Sequence, residues 1–338
     1  MLKQIKQSLF LLTVLVVISC IIYPLILWAI GQIAFPFQAN GSMLTGPKGI
    51  LVGSKLIAQP FTKDEYFQPR PSAASYDGSA SSSSALSVSN YALRGRVAQF
   101  LGPIVKYDGG PKNGQLVAPD IEQWLQQDNY QGSPHVVAQW ADMHNSMAVA
   151  WVSADSLHAQ YINSWSAAHS SIVAQWIKDN PATPQPAATD LAIVFFENFS
   201  KDHPGAFPST ITHNGPDGKP VTDVEVVKTG SDIQTNFFDM WRQDHPDIAL
   251  QNIPGDMVTT SASGLDPDIT MQNAEYQLNR VSAKWAADLK RDPAATRQEI
   301  EQILNDNASA PFGGIAGDKF VNVLEVNLAL CKLYGTPN

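Results

Sequence analysis

All seven histidines and six of the eight tryptophans of this 338-residue chain fall between residues 108 and 253. Trp140, His144 and Trp151 recur 25 residues later as Trp165, His169 and Trp176. On one continuous helix, offsets of 0, 4 and 11 residues lie within about 40° of one another, so each set predicts a Trp-His-Trp stripe on one face. A second repeat joins Phe195-Phe196-Glu197-Asn198-Phe199 and Asp202-His203-Pro204 to Phe237-Phe238-Asp239-Met240-Trp241 and Asp244-His245-Pro246. Histidine in a last turn suits the helix dipole, and proline just beyond stops the helix. Two aromatic helices with matched ends are expected, and residues 210–228 between them predict a loop or hairpin. Paired histidine-bearing helices can hold haem or a metal. No Cys-x-x-Cys-His string supports covalent haem, metal sites want more convergent ligands, and aromatic residues at helical spacing ordinarily pack a core. The expectation is packing, with no metal site: a helical subdomain that docks a partner or decorates the fold.

Independent catalysis finds little support. No His-Glu-x-x-His or Gly-x-Ser-x-Gly string occurs. Residues 49–55 hold glycines but lack the Gly-Lys-Ser/Thr end of a phosphate-binding loop. Cys20 and Cys331 are too few for a disulfide scaffold and too differently placed to pair. Cys331 is most simply a small packing residue.

The elements that position these groups begin with an anchor. Between Lys6 and Lys48 there is no charged residue, and residues 9–35 are apolar apart from Thr13, Ser19 and Gln32. About 20 apolar residues span a bilayer as a helix, whereas a cleavable signal has an apolar core of roughly 7–15. Val17-Ile18-Ser19-Cys20 loosely resembles a lipoprotein cleavage box, but the residues after Cys20 stay apolar. A retained transmembrane helix over 8–35 is therefore expected, with Pro24 as a kink or a packing feature. Lys3 and Lys6 precede it, so the positive-inside rule puts residues 1–7 in the cytoplasm and the bulk of the chain outside. Only 16% of residues are charged and the net charge is −9. Residues 49–338 hold all 31 acids and 19 of the 22 bases. That balance argues against a nucleic-acid partner, which needs a basic surface.

Five strings follow the anchor in order: Gly53-Ser54-Lys55-Leu56-Ile57-Ala58-Gln59-Pro60-Phe61; Tyr66-Phe67-Gln68-Pro69-Arg70-Pro71-Ser72-Ala73; Ser261-Ala262-Ser263-Gly264-Leu265-Asp266-Pro267-Asp268-Ile269; Gln277-Leu278-Asn279-Arg280-Val281; and Val321-Asn322-Val323-Leu324-Glu325-Val326-Asn327-Leu328-Ala329-Leu330. With an anchor ending in Ala39-Asn40-Gly41-Ser42, this closely resembles the C subunit of the Kdp-type potassium-transporting ATPase, over about 1–107 and 254–330. Ala58 and Pro69 stand where the family often has Gly, Asp268 replaces a common His, and a Gly- and Asn-bearing loop is replaced by Ala80-Ser81-Ser82-Ser83-Ser84-Ala85-Leu86. Without the resemblance, residues 72–89 read as a flexible linker.

The resemblance implies a non-catalytic accessory subunit of an ATP-driven potassium pump. Its partners would be a channel-like potassium-binding subunit, an ATP-hydrolysing subunit and membrane lipid, in a bacterial inner membrane. It also implies ATP as a family-proposed ligand, with Gln277 and Arg280 as candidate contacts. The topology argued above opposes a nucleotide role, because ATP is cytoplasmic. Val227-Lys228-Thr229-Gly230-Ser231 lacks the aspartate of the Asp-Lys-Thr-Gly-Thr string that forms an aspartyl-phosphate, no Thr-Val-Gly-Tyr-Gly filter occurs, and one span cannot enclose an ion pathway.

The expected fold is α+β: one transmembrane helix, an extracytoplasmic mixed α/β core over 36–107 and 254–338, and a mainly helical aromatic and His-rich insertion over 108–253. Residues 53–57 and 321–328 are apolar enough for buried strands or a terminal helix. Val258-Thr259-Thr260-Ser261 predicts a strand, with Pro267 opening the following helix and Gln277 and Arg280 on one face. The competing reading is a membrane-anchored extracytoplasmic ligand-binding protein whose insertion holds the ligand.

Overall fold

The computed structural model describes residues 2–47, 49–87, 89–216 and 218–337. Lys48, the first base after the anchor, lies outside the described residues. The chain opens with an apolar helix, α1 (Leu2–Val17), a π-turn (Ile18–Ile22) and α2 (Tyr23–Ala34) in continuous succession. Its 32-residue apolar stretch, Lys3–Ala34, is long enough to cross a membrane. Pro24 produces the π-turn: it removes a backbone donor, and the Tyr23 N–H reaches back five residues to the Ile18 carbonyl. The Thr13 and Ser19 hydroxyls donate to the carbonyls of Leu9 and Leu15, at 2.8 and 2.7 Å, so two of the three polar side chains in the run satisfy themselves on the helix.

A short turn α3 (Pro36–Ala39) leads to the hairpin β1 (Met43–Thr45) and β2 (Leu51–Ser54). The later elements are α4 (Tyr91–Leu101), α5 (Ala118–Gln126), β3 (Asn129–Tyr130), β4 (Ser133–Pro134), α6 (Val136–Met143), α7 (Asn145–Ala154), α8 (Ser156–Ala168), α9 (Ser170–Asp179), α10 (Ala192–Asp202), β5 (Phe207–Asn214), β6 (Pro220–Val227), α11 (Ser231–Asp244), β7 (Asp268–Thr270), α12 (Met271–Leu289), α13 (Pro293–Asn307), β8 (Phe320–Asn322) and α14 (Val323–Tyr334). They form two compact units, 1–85 with 254–338, and 86–253. Residues 86–107, expected with the core, fold in the second unit because α4 packs on α11. Gln99 Nε2 donates to Asn236 Oδ1 at 3.3 Å, and Ala98 enters the aromatic core.

In the first unit, β7 and β8 pair antiparallel, with Ile269 opposite Val321, and α12, α13 and α14 close over them. The core comprises Phe67, Leu278, Val281, Trp285, Ile300, Leu304, Val326 and Leu330 with those strand residues. Each helix start is capped: Thr270, Asp292 and Asn322 accept backbone N–H groups of α12, α13 and α14. The run 321–328 thus divides, its first two residues a strand and the rest helix. Residues 258–261 are not a strand. The strand falls at 268–270, Pro267 precedes it, and α12 opens at Met271, because Thr270 supplies the cap that proline cannot.

The second unit is helical with one long hairpin, β5–β6, where residues 210–228 predicted a loop or hairpin. Trp140 is fully buried at its centre, edge-on to Phe196 and Phe207 at 5.2 and 5.4 Å and tilted against Phe237 at 5.7 Å. The expected continuous Trp-His-Trp stripes are absent. His144 and His169 break their helices, at φ −121°, ψ 47° and φ −116°, ψ 42°, so Trp140 and Trp151, like Trp165 and Trp176, sit on successive helices.

Candidate functional site

Residues 64–72 run as an irregular strap held almost entirely by side chains of α12, α14 and the 260–266 loop. Two amides clamp it. Asn327 accepts the Phe67 N–H and donates to the Phe67 carbonyl, both at 2.9 Å. Gln277 does the same for Gln68, at 2.8 and 3.0 Å. A side-chain amide presents an N–H donor beside a C=O acceptor, as a peptide does, so each amide imitates a strand partner for one residue of a segment that has no strand beside it. Arg280 adds hydrogen bonds to the carbonyls of Asp64 and Tyr66, at 2.9 and 3.0 Å, and to Gln277 Oε1 at 2.8 Å. Trp285 Nε1 donates to the Glu65 carbonyl at 2.8 Å. Helical spacing presents Gln277, Arg280 and Trp285 to the strap, and the Phe67 ring is buried in the same core as Trp285.

Further along, Arg70 pairs with Asp266 at 3.2 Å, and the Ser72 hydroxyl donates to the Gly264 carbonyl. Gly264 has φ +69°, and a Cβ there would lie 2.6 Å from the Ser82 carbonyl oxygen. Only glycine tolerates both that conformation and that approach. The Ser-rich loop is thereby seated, with Ser82 N–H on the Ser263 carbonyl at 3.0 Å.

Sequence reasoning singled out Gln277 and Arg280, and the structure brings them together with Asn327 and Trp285, which it did not single out. The electrostatics are structural as well. Desolvation holds the Arg280 guanidinium below its usual pKa, opposed by Asp64. Burial raises Asp268, with Asp266 adding to the rise, and Asn322 Nδ2 at 3.0 Å opposes it. Burial and a contact with the Cys331 thiol raise the Tyr66 hydroxyl. Gln277 and Arg280 spend their polar atoms on the chain itself.

In the second unit, His144, His169, His203 and His245 each stand at a helix C-cap, four residues after a Trp or Phe. The rings of His169 and His245 lie over Trp165 and Trp241 at 5.0 and 4.8 Å, and each Nδ1 lies 2.8 Å from that tryptophan's carbonyl. At His169 and His245, ring stacking and a bond to a helix-end carbonyl come from one residue, which suits that spacing. His158 is buried, stacked on Trp151 at 3.8 Å, its two nitrogens on the Trp151 carbonyl and Thr210 Oγ1. His144 stands by Asp239 Oδ2 at 3.7 Å; its proximity, ahead of the charge of Arg94, holds the Asp239 carboxyl below the ordinary range.

The metal-sized grouping among the described residues is His213, Asp223 and Glu225, whose ligand atoms lie within 4.8 Å of one another on the exposed face of β5–β6. A cleft of about 280 Å³ lies beside Tyr107, Lys112, Asp120, Trp124 and His245; there Lys112 and Tyr107 both bind Asp120, and Trp124 Nε1 binds Asp244.

The ends of the aromatic insertion meet. Glu122 Oε1 accepts the Gly230 N–H and the Gln234 amide, both at 2.7 Å, and Gln126 Nε2 donates to the Lys228 carbonyl at 2.9 Å. The pseudo-motif residues Lys228–Ser231 therefore form the turn into α11.

The model of the family described as KdpC, the c chain of the K+-transporting ATPase, matches residues 5–121 and 228–332. The unmatched stretch is 122–227, shorter at both ends than the expected 108–253, and its ends coincide with the junction just described. The potassium-transporting ATPase KdpC subunit of Pseudomonas aeruginosa PAO1 is 43% identical over 111 residues, covering 33% of this chain and 61% of that protein. The subunit of the same name from Caulobacter sp. K31 is 38% identical over 131 residues, 36% of this chain and 67% of that protein. That from Microcystis aeruginosa is 57% identical over 63 residues, 19% and 29% of the two chains. The chain spans less than two thirds of the length of the Pseudomonas relative. With both arms of the match converging on the strap and its clamp, this chain belongs to the KdpC family, the c chain of the K+-transporting ATPase.

Proposed function

We propose that this chain is a non-catalytic accessory subunit of an ATP-driven, high-affinity potassium uptake pump. It assembles or stabilises the complex beside a channel-like potassium-binding subunit and an ATP-hydrolysing subunit. The observation that carries this reading is the family match on both sides of the insertion. Polar side chains within the matched stretches, Gln277, Arg280 and Asn327, are spent on holding the chain's own backbone, which suits a scaffold.

The chain is proposed to sit in a bacterial inner membrane as a single-pass protein, with its N-terminus cytoplasmic and its bulk outside. The apolar helix and the flanking Lys3 and Lys6 support that topology. For ATP as a ligand, and for a rise in the ATP affinity of the hydrolysing subunit, the support is the family resemblance alone. Gln277 and Arg280 are proposed to brace the strap instead of contacting nucleotide. The ligand-binding alternative is not favoured, because the aromatic and histidine side chains of the insertion are used in packing and capping.

The test is purification of the tagged full chain in mild detergent. The other two pump subunits should co-purify, and the chain alone should show no potassium-stimulated ATP hydrolysis. Turnover by the chain alone at the rate of an intact pump would sink the reading. For topology, Ser79→Cys should be labelled by an impermeant thiol reagent outside intact spheroplasts, and labelling only after lysis would reverse it.

A further inference from the structure

The hairpin β1–β2 and the two residues beyond its base expose apolar side chains that no other part of the first unit covers. Met43, Ile50, Leu51, Val52, Leu56 and Ile57 are all exposed, Ile50 and Leu56 by more than 60%. Beyond the anchor and its turn, the other large apolar side chains so exposed among the described residues of that unit are Leu289, Ile315 and Leu333. Scattered single residues need no explanation, but six within fifteen positions form a patch.

The hairpin is fixed at both ends. Toward the anchor, α3 folds back on the last turns of α2. Asn40 Nδ2 donates to Gln32 Oε1 at 3.3 Å, and Ala39 Cβ stands 3.5 Å from where a Cβ on Gly31 would lie. Ser42 N–H then bonds the Phe37 carbonyl at 2.9 Å, and the Ser54 hydroxyl bonds the Gly41 carbonyl at 2.7 Å, so the chain passes from helix to hairpin without a loose linker. Toward the core, Lys55 Nζ pairs with Glu325 at 2.7 Å and Asn322 Nδ2 holds the Lys55 carbonyl at 2.9 Å. The patch therefore cannot turn inward, and its base is held beside the end of the membrane-length helix. Phe35 and Phe37, exposed at that same end, have the aromatic character of an interfacial belt.

Charge points to what covers the patch. In a chain of net charge −9, no acidic residue occurs before Asp64, and on the hairpin's side of the anchor the charged residues before it are Lys48, Lys63 and Lys55, the last paired with Glu325. An apolar surface within a segment free of acids is complementary to the headgroup and upper acyl layer of a bilayer containing anionic lipid. We infer that the β1–β2 hairpin with Leu56 and Ile57 lies in the interfacial layer of the membrane from which the anchor emerges. It acts as a second, shallow membrane contact that sets the height and tilt of the first unit. The inference rests on the proposed membrane-anchor reading.

The test uses the full chain in vesicles of phosphatidylcholine and phosphatidylglycerol, with Cys20→Ser and Cys331→Ala as background. An environment-sensitive fluorophore is attached in turn at Leu51→Cys, Leu56→Cys, Trp28→Cys within the anchor, and Ser79→Cys. Emission at 51 and 56 should shift to the blue and be lost on adding lipids that carry a quencher near the headgroup. Position 28 should respond to quenchers deep in the chains, and position 79 to neither. A quenched position 28 with water-exposed positions 51 and 56 overturns the inference and leaves the anchor standing. An unquenched position 28 overturns the anchor itself. Positions 51 and 56 that are exposed in vesicles of the chain alone, and lose access to aqueous iodide only with the other pump subunits present, overturn the lipid contact in favour of a protein one.

Discussion

Gln277 Oε1 accepts the Arg280 Nη2 hydrogen at 2.8 Å and the Gln68 N–H at the same distance, so one oxygen joins a helix, its guanidinium and the strap. Arg280 is the hub, because it also holds the carbonyls of Asp64 and Tyr66. Arg280→Ala should cost about 1–3 kcal/mol, since hydrogen bonds from a charged donor are lost and the partly buried Tyr66 carbonyl is left unpaired. Arg280→Lys should recover little, because an ammonium cannot reproduce the planar fork. The check is thermal unfolding of the detergent-solubilised chain, and a lysine variant as stable as wild type would refute the hub.

Two aspartates should give opposite pH signatures. Asp268 is raised by burial, so its protonated form fits the fold better. Its share of stability falls as pH rises from the unfolded value of about 3.9 through the folded one. Asp268→Asn should remove that fall and leave the chain as stable or more stable at pH 7. Asp239 is held low, first by the neighbouring His144. Its stabilisation is present above about 3.9 and is lost as pH falls through the depressed folded value. Asp239→Asn should therefore destabilise at pH 7 and converge with wild type in strong acid. Unfolding midpoints between pH 3 and pH 8 decide both signs.

The apolar N-terminal helix, the paired aromatic helices and the family arms were legible because each depends on local composition or on strings in order. The Trp-His-Trp stripe was not. Periodicity assumes an unbroken helix, whereas the helices end at His144 and His169, the latter stacking on Trp165 and bonding its carbonyl. The clamp was half legible: Gln277 and Arg280 stood out, but their partners lie more than 200 residues away. Asn327 pairs with Phe67 across 260 residues, and nothing near either residue signals it. Likewise α4 looked like core by position, and only its packing against α11 assigns it to the second unit.

Burial separates the repeated tryptophans. Trp140 is fully enclosed by Phe196, Phe207 and Phe237, so Trp140→Ala should cost about 3–5 kcal/mol. Trp165 is only partly buried, against His169 and Phe195, and its alanine variant should cost about half as much. Denaturant unfolding followed by near-ultraviolet circular dichroism gives both values. Equal losses would contradict the packing.

Where the insertion begins and ends decides what can be removed. Deleting 108–253 would take away α5 and α11, strip α4 of the surface that buries Ala98, and remove residues on both sides that match the family. That variant should aggregate. A cut at 127–227 is different, because Gln126 and Lys228 already lie within hydrogen-bonding distance and Glu122 already holds Gly230. A joint of one or two glycines closes that gap, and loop closure over so short a span costs little. The cut would uncover Phe237, which packs on Trp140 and Phe207, so Phe237→Gln belongs in the same variant. This shortened chain should run as a single species by size exclusion and still co-purify with the other pump subunits. If it folds and fails to co-purify, residues 127–227 are part of the assembly surface and not a decoration on it.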